Sequence, residues 1–465
     1  MTKKTRTILF SFLVIFFFFM AAAAIFYAQG LRFDFKNFKV LKTGGISIKV
    51  SPINAKIFLN QKLAGQTTLM SDYVFIQSLL PEKYDVRAEK EGYMPWSKKL
   101  EVEETKVTEA KNVVLFPENI SFSEEKGDIE KIYPLNNDKL VLQSRSLEDG
   151  PRKISIYDLN KREETGAAGI NAILTENDLL RLDVLDPQDL LFLLENKKTK
   201  KTNYFLTDLA VQPLAARKLD FIGESADNIF LSSFFGEKLL FWQEDGKIFK
   251  RSLKLKEAAQ EFFAQKTASF ILSGGDLYIL SESGDLLKID QNKNFPVQGL
   301  TDRPFETKDS KDLELSIFAG QIFLKDGGDL YALDGTEKSF KKIFEGVEEF
   351  KISPFGDKLL CQLQNELWIY TLKDIDAPSQ EKAGTKIFIS RFSQQVQDSD
   401  WIDDNYLAFS IADKINISET DIRSNINMYE IAGFESSDIW FNQKNKNLYA
   451  LSGTALMVSD KLLSK

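Results

Sequence analysis

Any reaction run by this chain would have to use carboxylates or amines, because its 465 residues include 68 Asp and Glu and 60 Lys and Arg but one cysteine and no histidine. Those absences remove Ser-His-Asp and Cys-His triads, an imidazole general base, a Cys/His zinc site and any intramolecular disulfide. Cys361 sits in the apolar run KLLCQL and reads as a small buried hydrophobe rather than a reactive thiol. The densest acids, Asp398, Asp400, Asp403 and Asp404 around Trp401, carry oxygens a hard cation could use. Their spacing lacks the glycine and terminal glutamate of a calcium loop, so no metal site is assigned. Asp186 with Asp189 has the composition of an acid and base pair for glycoside cleavage, but many acid-rich loops here share it, so no catalytic residue is assigned. With neither a Gly-x-Ser-x-Gly elbow nor a phosphate-binding glycine loop, no cofactor is expected. The KKTKK run from Lys197 to Lys201 reads as a solvated hairpin tip. Tyr93 and Trp96, just after Gly92, are the remaining candidates for ligand contact. Either they form an exposed stacking platform for a glycan, or they seal one end of a small β-sandwich.

The elements that would hold these residues are mostly strands. From residue 129 to 460 an apolar strand, a polar turn and a second apolar strand recur: DKLVLQS with KISIYDL, DLLFLLE with TNYFLTDL, EKLLFWQ with GKIFKRSL, and GDLYILS with GDLLKID. The series continues with GQIFLKD and GDLYALD, DKLLCQL and NELWIYTL, NYLAFSI and KINISETD, KNLYALS and TALMVSD, eight copies in all. Their mean spacing of about 43 residues is that of four-stranded propeller blades, each copy giving the two central strands. Hairpin pairs of this kind cannot bury both faces alone, and a closed ring also removes exposed edges. A seven- or eight-bladed β-propeller over residues 118–465 is the expected fold, with a β-solenoid or two separate sheets as alternatives.

Upstream, residues 44–117 alternate as half-buried strands do. ISIKVS places Ile46, Ile48 and Val50 on one face, and YDVRAE does the same with Tyr84, Val86 and Ala88. Six or seven short strands with hardly any helical periodicity describe a small all-β sandwich. The turn chemistry resembles the PEGA domain, a β module of bacterial and archaeal surface proteins. Ser51, Pro52 and Ala55 match its pattern, as do Gly65 and Thr67, Leu80, Pro81 and Tyr84, and Gly92 with Tyr93. Ile53 and Asn54 replace the usual Glu-Gly, Thr68 a proline and Glu82 a glycine. The resemblance implies a surface or wall-associated structural role rather than catalysis. Downstream, FKISPFGDKLLCQ resembles the Ser-Pro-Asp-Gly-Lys strand start of Tol-type and WD-like propellers through Ser353, Pro354, Gly356 and Lys358, with Phe355 departing.

At the N-terminus, Ile8 to Ala28 is an uninterrupted apolar run, about 31 Å long as a helix and matched to a hydrocarbon core of about 30 Å. It exceeds the length of a signal-peptide core, which favours an uncleaved single-pass anchor over a cleaved signal. Lys3, Lys4 and Arg6 precede it and Arg32, Lys36, Lys39 and Lys42 follow, so positive charge alone does not orient it. A basic head ahead of one apolar span suits export, with residues 1–7 as a cytoplasmic tail, 8–28 in the lipid bilayer, 29–43 as a linker and the bulk extracytoplasmic. Residues 118–465 carry a net charge of −15, which speaks against nucleic acid as a partner. The resulting expectation is a bacterial, membrane-anchored, noncatalytic scaffold whose propeller binds an envelope protein, glycan or other cell-wall component. The alternative is a carboxylate-based carbohydrate-active enzyme with its site in the propeller channel.

Overall fold

The structure, a computed structural model, describes residues 3–34, 38–136, 138–144, 152–211, 213–234, 237–254, 259–263, 266–290, 297–308, 313–375 and 381–463. Helix α1, Lys3–Ala28, leads the chain and is long and apolar enough to cross a membrane. Gly30 then turns the chain with a φ of +73°. The segment read as a linker contains an antiparallel hairpin, Leu31–Asp34 with Lys39–Lys42.

The sandwich follows as predicted, with seven strands among the described residues in sheets of three and four. Strand Gly44–Ser51 is central to the first sheet, flanked by Tyr73–Leu79 and, in parallel, by Val107–Val114. In the second, Lys56–Leu59 and Lys83–Glu89 are central, with Lys62–Gln66 and Trp96–Glu101 at the edges. The alternating residues named above meet between the sheets: Ile46, Ile48, Val50, Tyr84, Val86 and Ala88 share one buried core. Strand Tyr73–Leu79 carries no such signature, since as an edge it leaves Tyr73 56% and Phe75 43% exposed.

The propeller has eight four-stranded sheets among the described residues. In chain order, blades one to seven span 129–166, 177–218, 227–263, 267–299, 313–344, 347–391 and 396–432. Blade eight takes Asp438–Phe441, Asn447–Ser452 and Ala455–Lys461 from the chain end and its outer strand, Phe122–Lys126, from the start of the domain. The predicted strand pairs are the two central strands of each blade. Eight buried clusters, one between each adjacent pair, complete the circuit: Val141 with Leu190 joins blades one and two, and Leu451 with Leu140 joins eight back to one. The ring is therefore closed.

A seven-residue helix, Ala168–Leu174, lies between blades one and two and buries Ile170 and Leu174. It is too short to register as a 3.6-residue periodicity. Gly169 permits it, because a Cβ there would stand 2.4 Å from the Leu214 carbonyl oxygen.

Candidate functional site

Strand Trp96–Glu101 lies at the edge of the sandwich; Trp96 and Leu100 are buried in the sandwich core, and Trp96 and Lys98 also reach the seventh blade. Trp96, 1% exposed, donates its indole N–H to Glu419 Oε2 at 2.8 Å. Two residues on, and so on the same face, the fully buried Lys98 ammonium contacts Glu419 Oε1 at 2.7 Å, the Asp421 carbonyl at 2.5 Å and the Asn425 carbonyl at 2.7 Å. All three of its N–H groups thus have acceptors. Asn427 adds its backbone and side-chain N–H to Glu419 Oε1 at 2.8 and 2.7 Å. Burial raises the Glu419 carboxyl above its ordinary range, and Lys98, the Asn427 backbone N–H and the Trp96 indole act against that shift.

Further contacts extend this junction. Val114 N–H donates to Tyr406 Oη at 3.0 Å, Tyr429 Oη to the Pro95 carbonyl at 3.0 Å, and Arg423 Nη1 to the Glu109 carbonyl at 2.9 Å. Phe116 packs edge-on against Tyr406, ring centroids 5.2 Å apart. An inter-domain junction with a buried, fully hydrogen-bonded ion pair holds the sandwich and propeller in one orientation.

Docking creates a cleft of about 620 Å³ lined by Phe58, Asp85, Arg87 and Lys99 of the sandwich and Asn425 of the propeller. A second cleft of about 710 Å³ lies alongside, lined by Lys56, Arg87, Glu89, Lys90, Tyr93 and Glu118 among others. The two aromatic candidates therefore part company. Tyr93 is half-buried at the second cleft with Lys90 Nζ 4.8 Å from its ring centroid. Trp96 is buried in the sandwich core where it meets the propeller and offers no ring face to a ligand, as the sandwich-sealing alternative requires.

The first strands of neighbouring blades approach one another and so line the propeller axis. In six of the eight blades this inner strand carries a register shift near its start, as at Val347/Glu349, Val396/Asp398 and Ile129/Lys131. Such bulges re-aim side chains at a rim. Near this end, Lys351 Nζ contacts Asp398 at 2.8 Å and Glu349 at 3.3 Å. Burial opposes the Lys351 charge, but Asp398, Asp400 and Glu349 outweigh it and raise its pKa. Burial, with Asp398 adding, also raises the Asp438 carboxyl, whereas the Glu349 side chain is 50% exposed beside Lys351, so solvent screens its upward shift.

The four acids around Trp401 are structural in their contacts. Asp398 Oδ2 accepts Ile439 N–H at 2.7 Å and Asp400 Oδ2 accepts Phe441 N–H at 2.8 Å. Two residues apart on one strand, they cap the free edge of blade eight's inner strand. Burial pushes Asp400 up to about 6. Asp403 accepts the backbone N–H groups of Asn405 and Tyr406 in a turn, and Asp404 accepts Phe355 N–H. Among the described residues no group of three or more acids is placed to hold a metal. Asp186 accepts Gln188 N–H in a tight turn, whereas Asp189 is fully buried and ion-paired with Lys238 of blade three at 2.5 Å. Asp189 is pushed up to about 6 by burial, with Asp186 and Asp208 adding against Lys238. The 197–201 run forms an exposed turn, and Cys361 is fully buried.

Residues 43–115 match the PEGA domain family. No curated protein sequence matches the chain. Among solved structures, the chain is similar to the β-propeller domain of Cps50 (Swd1) from Myceliophteria thermophila, at 14% identity and a TM-score of 0.34 over 58% of this chain and 92% of that one. It is similar to YCF48 from Cyanidioschyzon merolae at 10% identity and a TM-score of 0.36, covering 61% and 95%. For the Dos1 propeller the values are 10%, 0.45, 73% and 94%.

Proposed function

We propose that this chain is a membrane-anchored, noncatalytic binding protein whose PEGA domain and propeller act as one rigid unit outside the cytoplasm, engaging an envelope protein or cell-wall component. The observation that carries this reading is the junction built on Lys98 and Glu419. It converts a small sandwich and a large propeller into a single body with a cleft shared between them, and clefts between domains are favoured binding places. Helix α1 would hold that body at the bilayer. The test is protease shaving of intact cells carrying a tag at Lys465, with crosslinking capture from the outer face. A shaved tag and a captured envelope component lost in Arg87→Glu/Lys99→Glu support the reading; a protected tag, or capture indifferent to those changes, overturns it.

A second reading rests on the cluster of Glu349 and Asp398 around Lys351, with Asp438 beside it, near one end of the axis, where burial raises the Asp438 carboxyl. A raised carboxyl can serve as a general acid beside an ionised partner, which fits a carbohydrate-active enzyme working in the channel. Hydrolysis of a glycan panel that disappears in Glu349→Gln and in Asp438→Asn would favour it over the scaffold.

A further inference from the structure

The hairpin after helix α1 does not serve as a connection. Thr43 N–H donates to the Gly30 carbonyl at 2.8 Å and its hydroxyl donates to the same oxygen at 2.9 Å. The chain therefore leaves the helix end at Gly30 and returns to it at Thr43, and the sandwich begins at Gly44. The excursion adds no height above the helix.

What it adds is a small two-faced sheet. Pairing sets Leu31 opposite Lys42, Arg32 opposite Leu41, Phe33 opposite Val40 and Asp34 opposite Lys39. Cross-strand partners share a face, so Leu31, Phe33 and Val40 lie together on one side with Lys42 at its edge, while Arg32 and Lys39 lie on the other with Asp34 and Leu41. Among the described residues the apolar side is largely exposed: Phe33 is 43%, Val40 51% and Phe38 78% exposed, with Phe38 meeting Phe33 edge-on at 6.2 Å. Two-stranded sheets are marginal in water without a packing partner. On the basic side the Arg32 guanidinium sits 3.5 Å from the Tyr27 ring centroid, at the last turn of the helix.

We propose that this hairpin lies in the headgroup zone of the bilayer, with Phe33, Phe38 and Val40 at the acyl boundary, Arg32 and Lys39 on the phosphates of anionic lipids, and Lys42, at the edge of the apolar face, reaching the same phosphates along its flexible stem. Continuity with the helix end places it there, since aromatic rings concentrate at that depth and basic residues beside a span bind anionic headgroups. The proposal rests on helix α1 being an anchor. It also accounts for Arg32, Lys39 and Lys42 after the span, which help make the positive-inside comparison indecisive: they are headgroup ligands.

The test is spin-label depth measurement on the full chain in nanodiscs of phosphatidylcholine with or without phosphatidylglycerol. Labels go at Phe38→Cys, at Phe16→Cys inside the helix and at the exposed Lys198→Cys, while the buried Cys361 stays unlabelled. The Phe38 label is expected to be shielded from an aqueous nickel chelate in the anionic discs. Arg32→Glu/Lys39→Glu/Lys42→Glu should lower its membrane-bound to water-exposed ratio on the order of a hundredfold. A Phe38 label as water-accessible as the Lys198 label, with the Phe16 label in lipid, overturns the hairpin proposal and leaves the anchor standing. A shielding indifferent to lipid charge and to the triple substitution overturns the anionic-lipid assignment. A water-accessible Phe16 label removes the anchor and the hairpin proposal with it.

Discussion

Replacing Lys98 by methionine probes the junction most directly, because methionine keeps much of the aliphatic stem while deleting the ammonium. Glu419, 3% exposed in its side chain, would then be a buried carboxylate without its cation. Breaking one side of a buried pair costs about 3–5 kcal/mol. Glu419 keeps the Trp96 indole and both Asn427 donors, which places the cost near the lower end, about 3 kcal/mol, or roughly a hundredfold in an opening equilibrium. The reporter is the Val114 amide, whose N–H bonds Tyr406 across the junction and does not touch the ion pair. In Lys98→Met its hydrogen exchange should accelerate by about a hundredfold, while amides in blades one to five keep their protection. In Lys98→Met/Glu419→Gln no charge is stranded; the amide oxygen still accepts from Asn427 while the Trp96 indole loses its acceptor, so exchange should slow by about tenfold relative to Lys98→Met. Unchanged Val114 protection in the single variant, or no recovery in the double, would refute a junction held by this pair.

Two further outcomes follow from buried groups. The folded state favours protonated Asp189, so its contribution to stability is full below the ordinary value of 3.8 and is lost as pH rises through about 6. Asp189→Asn should therefore lose less melting temperature than the unaltered chain over that window; parallel losses would exclude Asp189 as the titrating group. Cys361 is fully buried and burial pushes its thiol well up, so a thiol reagent should leave the native chain unmodified and titrate one group after denaturation. Rapid native labelling would show that blade six opens.

Much of the fold was legible because its signal is local. The central strands of every blade alternate or run continuously apolar, and the second of them often ends in an aspartate that accepts from a backbone N–H two residues on, as Asp158, Asp208 and Asp334 do. Outer strands were illegible for the opposite reason: Glu163–Gly166, Arg217–Lys218 and Gln298–Gly299 are short and wholly exposed, so no burial pattern marks them. The hairpin Leu31–Asp34 with Lys39–Lys42 also went unseen, four-residue strands being too short for alternation to stand out. Trp96 shows where local reading ends. Of the two alternatives its turn neighbours suggested, the sandwich seal holds, since Trp96 is buried in the sandwich core with Tyr93 packed against it, but its indole partner is Glu419, 323 positions away, which no local signal marks. The aspartates at 398 and 400 stand on one face of a strand, as their spacing implies. What they cap, the inner strand Asp438–Phe441, is fixed only by closure of the ring.

Ring closure and domain docking draw on the same material. The strand that completes blade eight, Phe122–Lys126, comes only a few residues after the last sandwich strand, Val107–Val114. Between them Phe116 is fully buried in the cluster that also holds Tyr406 of blade seven and Leu448 of blade eight, with Ile120 and Phe122 packed against it. The sandwich meets blade seven through Lys98 and Glu419 while its covalent continuation closes blade eight. Sandwich, linker and closing strand thus grip two adjacent blades around a common apolar cluster. A domain held on one side by a buried ion pair and on the other by a strand hydrogen-bonded into the ring has little freedom to swing. Whatever height and orientation the Gly30 to Thr43 closure sets for the sandwich is passed on to the propeller face as a fixed geometry rather than through a flexible stalk.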